Sequence, residues 1–282
     1  MDVGVIDVGS NTTRLLVARA EPGGLEELET QKVRLSLGEE IERRGAVSDV
    51  HLAAAAKAVG QMAGLARRKR VASLDVFLTA PGRQAANSAE LVKALSRAAR
   101  VPARVLTKEE EGTLAYRGAI LTADFELPSQ VAVCDIGGAS TELAIGDPAH
   151  DPSWVESVDL GSVRLTARPG DMSSEAGEAF AHLDPPPVEA ALVVGGTARA
   201  ARRLVGTELG EEELAEALQI VETTSPREVA REFGVDRARA EILPAGVILL
   251  AEVQRKLGVT LRVCGGGIRE GAVLASLDAL AA

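Results

Sequence analysis

Two segments of the chain carry the same residue types in the same order. The first reads VIDVGSNTTRLLV from Val5, the second reads VCDIGGASTELAI from Val133, and they align without a gap so that Asp7 corresponds to Asp135. Each segment is predicted to form a strand, a tight glycine turn and a second strand. Such a turn can point several backbone N–H groups into one concavity that binds phosphate, and an aspartate at the strand end can hold a divalent cation. One copy could be an ordinary hairpin. Two copies, each opening one half of the chain, predict a pair of loops that hold a phosphate group from two sides.

The first loop (residues 7–14) and the second loop (residues 135–142) supply different side chains. Candidate phosphate contacts are Ser10, Asn11, Thr12 and Arg14 in the first loop and Gly137, Gly138, Ala139, Ser140 and Thr141 in the second. At the position where the first loop has Arg14, the second has Glu142. Arg14 offers a cation for an anionic substrate, whereas Glu142 adds a carboxylate beside Asp135 and indicates a metal or water site. Both could instead be surface charges that pair across strands.

A run of three glutamates lies at the start of a predicted helix. If Thr107 is the N-cap, Glu110 closes a capping box with it and Glu109 gains from the helix dipole. Glu111 lies beyond the capping positions and gains least from either effect. A carboxylate near a phosphoryl group could take a proton from an attacking water molecule.

Two other turns contain residues that suit phosphate binding. Arg83 lies between a predicted strand and a predicted helix, where its planar guanidinium could bind phosphate oxygens in pairs. Gly195, Gly196 and Thr197 follow a strand and open a helix, and helix N-termini bind anions through free N–H groups. Further candidates, for which an ion-pair role is equally open, are Arg164, Arg239 and Arg269.

An alternation of strands and helices must position these residues. Strands are predicted at residues 3–7, 14–20, 31–37, 74–80 and 154–158, and helices after Ser48, Asn87, Thr107 and Ser225. Asn87 and Ser225 each have a glutamate three residues further on, which predicts a capping box at both positions. The stretch after Thr166 is polar and rich in Gly and Pro.

The polar segment near residues 119–130 is predicted to link two domains, at residues 1–122 and 123–282. The last helix of the sequence could pack back on the first domain. Alternating strands and helices in two related halves predict a duplicated α/β architecture with a cleft between the halves.

Composition excludes several classes of function. The net charge of −10 argues against a duplex-DNA-binding protein, which needs a basic face. Aromatic residues make up only 2% of the chain, so little surface remains for stacking nucleic-acid bases. No apolar run approaches the ~20 residues that span a bilayer, and the first residues do not resemble a signal peptide. Cys134 and Cys264 are predicted to be reduced and buried, so we expect a cytoplasmic protein with no nucleic-acid or membrane partner.

The chain resembles the short members of the exopolyphosphatase / guanosine pentaphosphate phosphatase (Ppx/GppA) family, within the superfamily of sugar kinases, actin and heat-shock chaperones. Eight segments carry the resemblance in order: IDVGSNTTRLLVA from Ile6, TAPGRQAAN from Thr79, EEEGTLAYRGA from Glu109, DIGGASTELAIG from Asp135, LGSVRLT from Leu160, VVGGTARA from Val193, RAEILPAG from Arg239 and GGGIREG from Gly265. Each segment alone is a weak signal, whereas the set in this order and spacing is a strong one.

The resemblance implies two duplicated actin-like (ribonuclease H-like) domains with the substrate in the interdomain cleft. It implies hydrolysis of a terminal phosphoanhydride, with Glu111 as the base that activates water. Mg²⁺ or another divalent cation would lie near Asp135 and Glu142, with Asp7 as a third candidate ligand. The expected substrate is inorganic polyphosphate. The alternative is guanosine pentaphosphate, the stringent-response alarmone. Polyphosphate is preferred because few aromatic residues are available to stack guanine. Relatives are often dimers, so a homodimer is expected.

The chain also departs from the family pattern. The second loop reads GGAS where the family usually has three glycines, so Ala139 adds a methyl group where phosphate could approach. The stretch from Thr166 to Glu189 is shorter than in many relatives, and the appended C-terminal domains of the long members are not found. These departures leave open a non-catalytic sensor of polyphosphate or alarmone. A phosphotransferase acting on polyphosphate is a further alternative, whereas the context of Glu111 argues against a sugar kinase.

Overall fold

The computed structural model describes residues 1–281, which form two lobes, each built around one β-sheet. The first sheet consists of β1 (Asp2–Val8), β2 (Thr12–Glu21), β3 (Gly24–Arg34), β4 (Ser73–Leu78) and β5 (Ala103–Val105). Its strand order is β3-β2-β1-β4-β5. The first three strands pair antiparallel, whereas β1, β4 and β5 run parallel. The first loop is therefore the hairpin between β1 and β2.

The second sheet repeats this arrangement. It consists of β6 (Val131–Ile136), β7 (Thr141–Gly146), β8 (Trp154–Val158), β9 (Ala190–Val194), β10 (Glu208–Leu209) and β11 (Leu261–Val263). Its order is β10-β11-β9-β6-β7-β8, so β8-β7-β6-β9-β11 corresponds strand for strand to the first sheet. The antiparallel and parallel pairings correspond as well. The prediction of a duplicated α/β architecture is confirmed.

Helices cover both faces of each sheet. They are α1 (Leu37–Arg44), α2 (Asp49–Arg68), α3 (Ala80–Gln84), α4 (Ser88–Ala99), α5 (Lys108–Leu121), α6 (Ser162–Ala167), α7 (Met172–Phe180), α8 (Gly195–Val205), α9 (Glu211–Thr223), α10 (Pro226–Phe233), α11 (Arg237–Ala240), α12 (Leu243–Leu257) and α13 (Ile268–Ala281). Alternate strand residues point to opposite faces, so one face of β1 packs on α2 and α4 through Ile6 and Val8, and the other packs on α13 through Val3 and Val5. In the second lobe, α8, α9 and α12 cover one face.

Two helices join the lobes by crossing from one to the other. Tyr116 and Ala119 of α5 pack on the second sheet, and Ala272 and Val273 of α13 pack on the first. The helices pass so closely that a Cβ atom on Gly118 would overlap the carbonyl of Gly267. We propose residues 1–122 and 123–282 as the two halves of the chain, each of which provides one helix to the sheet of the other.

Several local predictions can be compared directly with the structure. The capping boxes Thr107–Glu110 and Ser225–Glu228 are both present. The prediction of a capping box at Asn87 is wrong. The Asn87 side chain instead bonds the backbone N–H and C=O of Val47, and these bonds connect the start of α4 to an earlier loop. The strand predicted at 31–37 begins earlier, at Gly24, and the polar stretch after Thr166 contains the helix α7.

Two global expectations can also be compared with the described residues. Cys134 and Cys264 are both buried and unpaired, as predicted. Within residues 1–281, none of the helices combines the length and apolar character needed to cross a bilayer.

Candidate active site

The first and second loops line one cleft between the lobes. Both make the same turn, because the N–H of Gly9 donates to the carbonyl of Thr12 at 3.1 Å and the N–H of Gly137 donates to the carbonyl of Ser140 at 2.9 Å. The loops also approach each other. A Cβ atom on Gly138 would lie 3.1 Å from the Cβ of Ser10, so the close approach suits a glycine at this position.

The loop carbonyls point away from the cleft and are held by neighbouring helices. Gly38 at the start of α1 donates to the Ser10 carbonyl at 2.7 Å, and Val163 of α6 donates to the Gly138 carbonyl at 2.8 Å. In residues 1–281, by contrast, no protein acceptor receives the N–H groups of Ser10, Asn11, Gly138 and Ala139. Unpaired N–H groups from two loops at one cleft form a concavity suited to phosphate oxygens.

The paired aspartates lie at the base of the two loops, and both line the cleft. Burial raises the pKa of Asp7 to about 6, against the opposing charges of Arg14 and Arg269. Burial likewise raises the pKa of Asp135, with Arg199 and Arg14 opposing. The Oδ1 atom of Asp7 is buried and has no hydrogen-bond partner. An acceptor-only oxygen in this state fits a cation or a water molecule as its partner.

A glycine with left-handed backbone geometry makes room for Asp135. Gly195 has φ +89°, and a Cβ atom there would overlap the Oδ1 atom of Asp135. Gly196 is needed for a similar reason, because its Cβ would lie 2.7 Å from Nη2 of Arg239. These two glycines therefore fix where the carboxylate and the guanidinium meet the cleft.

Glu111 reaches the cleft from the first turn of α5 and is only 8% exposed. Arg83 holds it: Nη1 donates to Oε2 of Glu111 at 2.6 Å and to the Leu106 carbonyl at 3.1 Å. Nη2 of Arg83 also lies 3.7 Å from Oε1 of Glu142, which accepts a hydrogen bond from Ser157 at 3.0 Å. Arg83 and Glu142 thus lie behind Glu111 and do not line the cleft.

Burial is the main influence on the pKa values of Glu111 and Glu142. It raises the pKa of Glu111 well above its usual value, and the nearby charge of Glu142 raises it further. Burial also raises the pKa of Glu142 to about 7. A raised pKa makes Glu111, once ionised, a stronger proton acceptor than an ordinary carboxylate, which suits a general base.

The opposite wall of the cleft is basic. Arg14 donates through Nε to the Thr12 hydroxyl at 3.2 Å, and Arg239 donates through Nη1 to the Thr197 hydroxyl at 3.4 Å. Arg199 and Arg269 also line this wall.

The structure brings most of the predicted site residues together. The cleft is lined by Asp7, Ser10, Asn11, Thr12, Arg14, Glu111, Asp135, Gly137, Gly138, Ala139, Ser140, Gly195, Gly196, Arg239 and Arg269. Thr141 and Thr197 are buried and donate instead to the carbonyls of Leu160 and Ile136. Arg164 lies elsewhere, in an ion pair with Glu42.

Two charged residues of the cleft, Arg199 and Glu270, were not predicted from the sequence. Arg199 follows Gly195 by four positions, which places the two on one face of α8, and this spacing could have indicated it. Glu270 lies in the first turn of α13, three residues after a run of three glycines, and this glycine run could have indicated it.

Ala139 does not obstruct the cleft. It lines the cleft, but it is only 2% exposed and its φ angle is not in the left-handed region. Alanine therefore replaces a glycine here without backbone strain.

Comparison with known proteins agrees with this geometry. The Ppx/GppA phosphatase family matches residues 16–183. Exopolyphosphatase 1 of Mycobacterium leprae is 26% identical, with 99% of this chain and 90% of the relative covered. An uncharacterized protein of Streptomyces coelicolor is 28% identical, with 99% and 91% covered.

Solved structures show the same fold. A Ppx/GppA family member from Aquifex aeolicus superimposes with a TM-score of 0.85 at 22% identity, covering 99% of this chain and 98% of the other. An exopolyphosphatase from Cytophaga hutchinsonii gives a TM-score of 0.86 at 19% identity, with 99% and 98% covered. The expected actin-like fold class is thereby confirmed. The matched segment spans more than half of the 282 residues and includes Glu111 and the second loop, and the chain belongs to the Ppx/GppA phosphatase family.

Proposed function

We propose that this protein is an exopolyphosphatase, which hydrolyses the terminal phosphoanhydride bond of inorganic polyphosphate and releases orthophosphate. The observation that carries the proposal is that a buried carboxylate, Glu111, faces the same cleft as the unpaired N–H groups of both loops. A base and an anion-binding concavity are thus directed at one space. Two of the relatives described above are called exopolyphosphatases, which supports this choice.

In this proposal Glu111 takes a proton from the attacking water. The water oxygen bonds to the terminal phosphorus, the bridging P–O bond breaks, and the shortened chain leaves with the bridging oxygen. Because Arg83 binds Glu111 at 2.6 Å, it fixes the direction of the carboxylate and acts as a positioning residue. The N–H groups of Ser10, Asn11, Gly138 and Ala139 stabilise the charge that spreads over the phosphoryl oxygens.

The residues present also fit a divalent cation. Asp7 and Asp135 are buried carboxylates of one cleft, and one oxygen of Asp7 is without a partner. Within residues 1–281, no group of three or more His, Cys, Asp or Glu side chains forms a complete cage. This suits Mg²⁺, which usually takes one or two carboxylates and completes its coordination with phosphate oxygens and water. Asp7 and Asp135 would hold it, and it would supply charge neutralisation at the phosphoryl group. Glu142, the other expected ligand, does not line the cleft and would act instead through Glu111 and Arg83.

The composition of the cleft supports polyphosphate over guanosine pentaphosphate. None of the residues that line the cleft in the described part of the chain is aromatic, so no ring is available there to stack a guanine base. The buried position of Ala139 removes one reason to expect a non-catalytic sensor. The cytoplasmic location and the homodimer stay predictions.

The test is phosphate release with Mg²⁺, from long-chain polyphosphate and from guanosine pentaphosphate in separate assays. Glu111→Gln should reduce release about 100-fold or more while polyphosphate still binds. Glu109→Gln is the matched control, since Glu109 is an exposed glutamate on the same helix and should retain wild-type release.

Other outcomes would replace the proposal. Release from guanosine pentaphosphate alone would make the protein a pentaphosphate phosphohydrolase. Binding of polyphosphate with no release from either substrate would make it a sensor. Release that requires a nucleoside diphosphate would make it a phosphotransferase.

A further inference from the structure

A second depression in the protein surface continues outward from the cleft between the two lobes. It shares Arg14, Gly196, Arg199 and Arg239 with the cleft and continues outward past Lys32, Arg202 and Arg203. We call these six cationic side chains the basic groove. Arg14 and Lys32 come from neighbouring strands of the first lobe, and the others come from α8 and α11 of the second. The groove therefore joins the phosphate-binding loops to the surface.

The cations of the basic groove lack carboxylate partners. In residues 1–281, no carboxylate oxygen lies within ion-pair distance of Arg14, Lys32 or Arg199, and Arg239 bonds only the Thr197 hydroxyl through its side chain. Among the described residues, Asp236 is the only acidic one that lines the groove, and its carboxylate caps α11 by accepting from the Arg239 N–H. Some arginines elsewhere are paired, such as Arg104 with Asp75 and Glu110, and Arg117 with Asp151 and Asp278.

Placing these cations together is unfavourable unless an anion lies among them. Burial, reinforced by the charges of Arg14 and Arg199, lowers the pKa of Arg239 to about 10. Burial and neighbouring arginines also lower the pKa values of Arg14 and Arg199. Partly buried like charges that repel one another are relieved by an anion that contacts several of them at once. The outer members of the groove, Lys32, Arg202 and Arg203, do not line the cleft itself.

We propose that the basic groove binds the inner phosphates of a polyphosphate chain whose terminal phosphate lies at Glu111. The inference rests on the proposed function and adds the path along which the rest of the bound polyphosphate chain extends out of the cleft. Arg14, Arg199 and Arg239 contact the phosphates next to the terminal one, and Lys32, Arg202 and Arg203 contact those further out. The groove makes affinity depend on chain length, because each further phosphate meets another cation.

The test measures equilibrium binding and uses Glu111→Gln as the background, so that the ligands are not consumed. The probes are pyrophosphate, tripolyphosphate, long-chain polyphosphate and guanosine pentaphosphate. Arg199→Gln should weaken long-chain binding about tenfold, because a partly buried, charge-assisted contact is lost. The double variant Lys32→Gln/Arg202→Gln removes exposed cations and should weaken it about threefold, while leaving tripolyphosphate binding unchanged. Arg227→Gln is the matched control: it removes one exposed arginine from α10 of the same lobe, outside the groove, and should bind every probe as the background does.

The results separate this inference from the proposed function. If the groove variants bind long chains as tightly as the control does, or if Arg227→Gln weakens binding equally, the basic groove is not a chain site. Loss of guanosine pentaphosphate binding without loss of long-chain binding would also overturn it. If wild-type protein releases no phosphate but the groove variants still lose long-chain binding, the proposed function fails and the groove stands.

Discussion

The first and second loops have the same backbone turn. In each, one residue of the second strand faces the aspartate, and that residue has opposite charge in the two loops. Asp7 pairs in register with Arg14, and Asp135 pairs in register with Glu142. Opposite charges at facing positions of neighbouring strands stabilise a hairpin, whereas like charges destabilise it. The first loop therefore balances its own charge. The second loop depends on cations from outside it: Arg83 of the first lobe lies 3.7 Å from Glu142, and the charges of Arg199 and Arg14 act on Asp135.

This difference shows how a duplicated hairpin came to have two tasks. The turn hydrogen bond from Gly9 or Gly137 fixes the backbone, and a single residue on the second strand decides which charge the loop adds. The first loop contributes a cation to the phosphate-binding wall, and the second contributes a carboxylate that lies behind Glu111. Because Arg83 contacts both Glu111 and Glu142, the electrostatics of the second loop depend on how the lobes are placed.

The largest expected effect comes from a substitution next to Asp135 that disturbs only the second loop. Gly195→Ala places a methyl group against Asp135 and forces a left-handed φ on alanine. We expect a loss of about 2–4 kcal/mol in the free energy of unfolding, and loss of phosphate release. Urea unfolding and the release assay measure both.

The matched control is Gly258→Ala, which has φ +68° and no atom within 4 Å of the added methyl. It should cost only about 1 kcal/mol. The first loop needs no such glycine, because the register with Asp7 places Leu78, which has no left-handed φ, at the equivalent position. Equal losses for the two alanine variants would show that Asp135 does not constrain position 195.

The next effect concerns the carboxylates of the two loops. The pKa of Glu142 is raised from 4.5 to about 7, so the folded state binds a proton more tightly than the unfolded state does. Stability should therefore fall as pH rises from about 4.5 to 7 and stay lower above that window. Glu142→Gln removes this penalty and should gain on the order of 2 kcal/mol relative to wild type at pH 8, and little at pH 4.

Asp7 of the first loop gives the comparison for this effect. Its pKa is raised from 3.8 to about 6, so Asp7→Asn should show the same sign with a smaller gain that is complete at a lower pH. Thermal unfolding at pH 4 and pH 8 measures both variants. A gain for Glu142→Gln that does not change with pH would contradict the raised pKa.

The smallest expected effect is at the position where the second loop departs from the family pattern. Ala139→Gly should leave phosphate release within about twofold of wild type, because Ala139 is buried and has no left-handed φ. The free energy of unfolding should fall by about 1 kcal/mol or less, since glycine gains freedom in the unfolded chain. A large rise in release would show that the methyl group obstructs phosphate after all.

The sequence alone was sufficient for the features that depend on local rules. Repetition of the loop predicted the duplicated sheets, and the capping box at Thr107 left Glu111 as the glutamate without a local structural role. The directions of other side chains depend on packing between distant segments. Arg83 has the chemistry of a phosphate ligand, yet it pairs with Glu111, which is 28 residues away. Thr141 and Thr197 have the right hydroxyls, but both turn to buried carbonyls.

The packing of α13 on the first sheet also affects how the chain is made. Val3, Val5 and Phe77 lie on a face of that sheet that Ile268 and Val273 cover. A ribosome would synthesise residues 1–267 before residues 268–281 emerge, so this apolar face of the first lobe stays uncovered while the second lobe is made. Chains that stop short of α13 would display that face to chaperones and proteases. The helix thus closes the core of the first lobe only after the second lobe has been made.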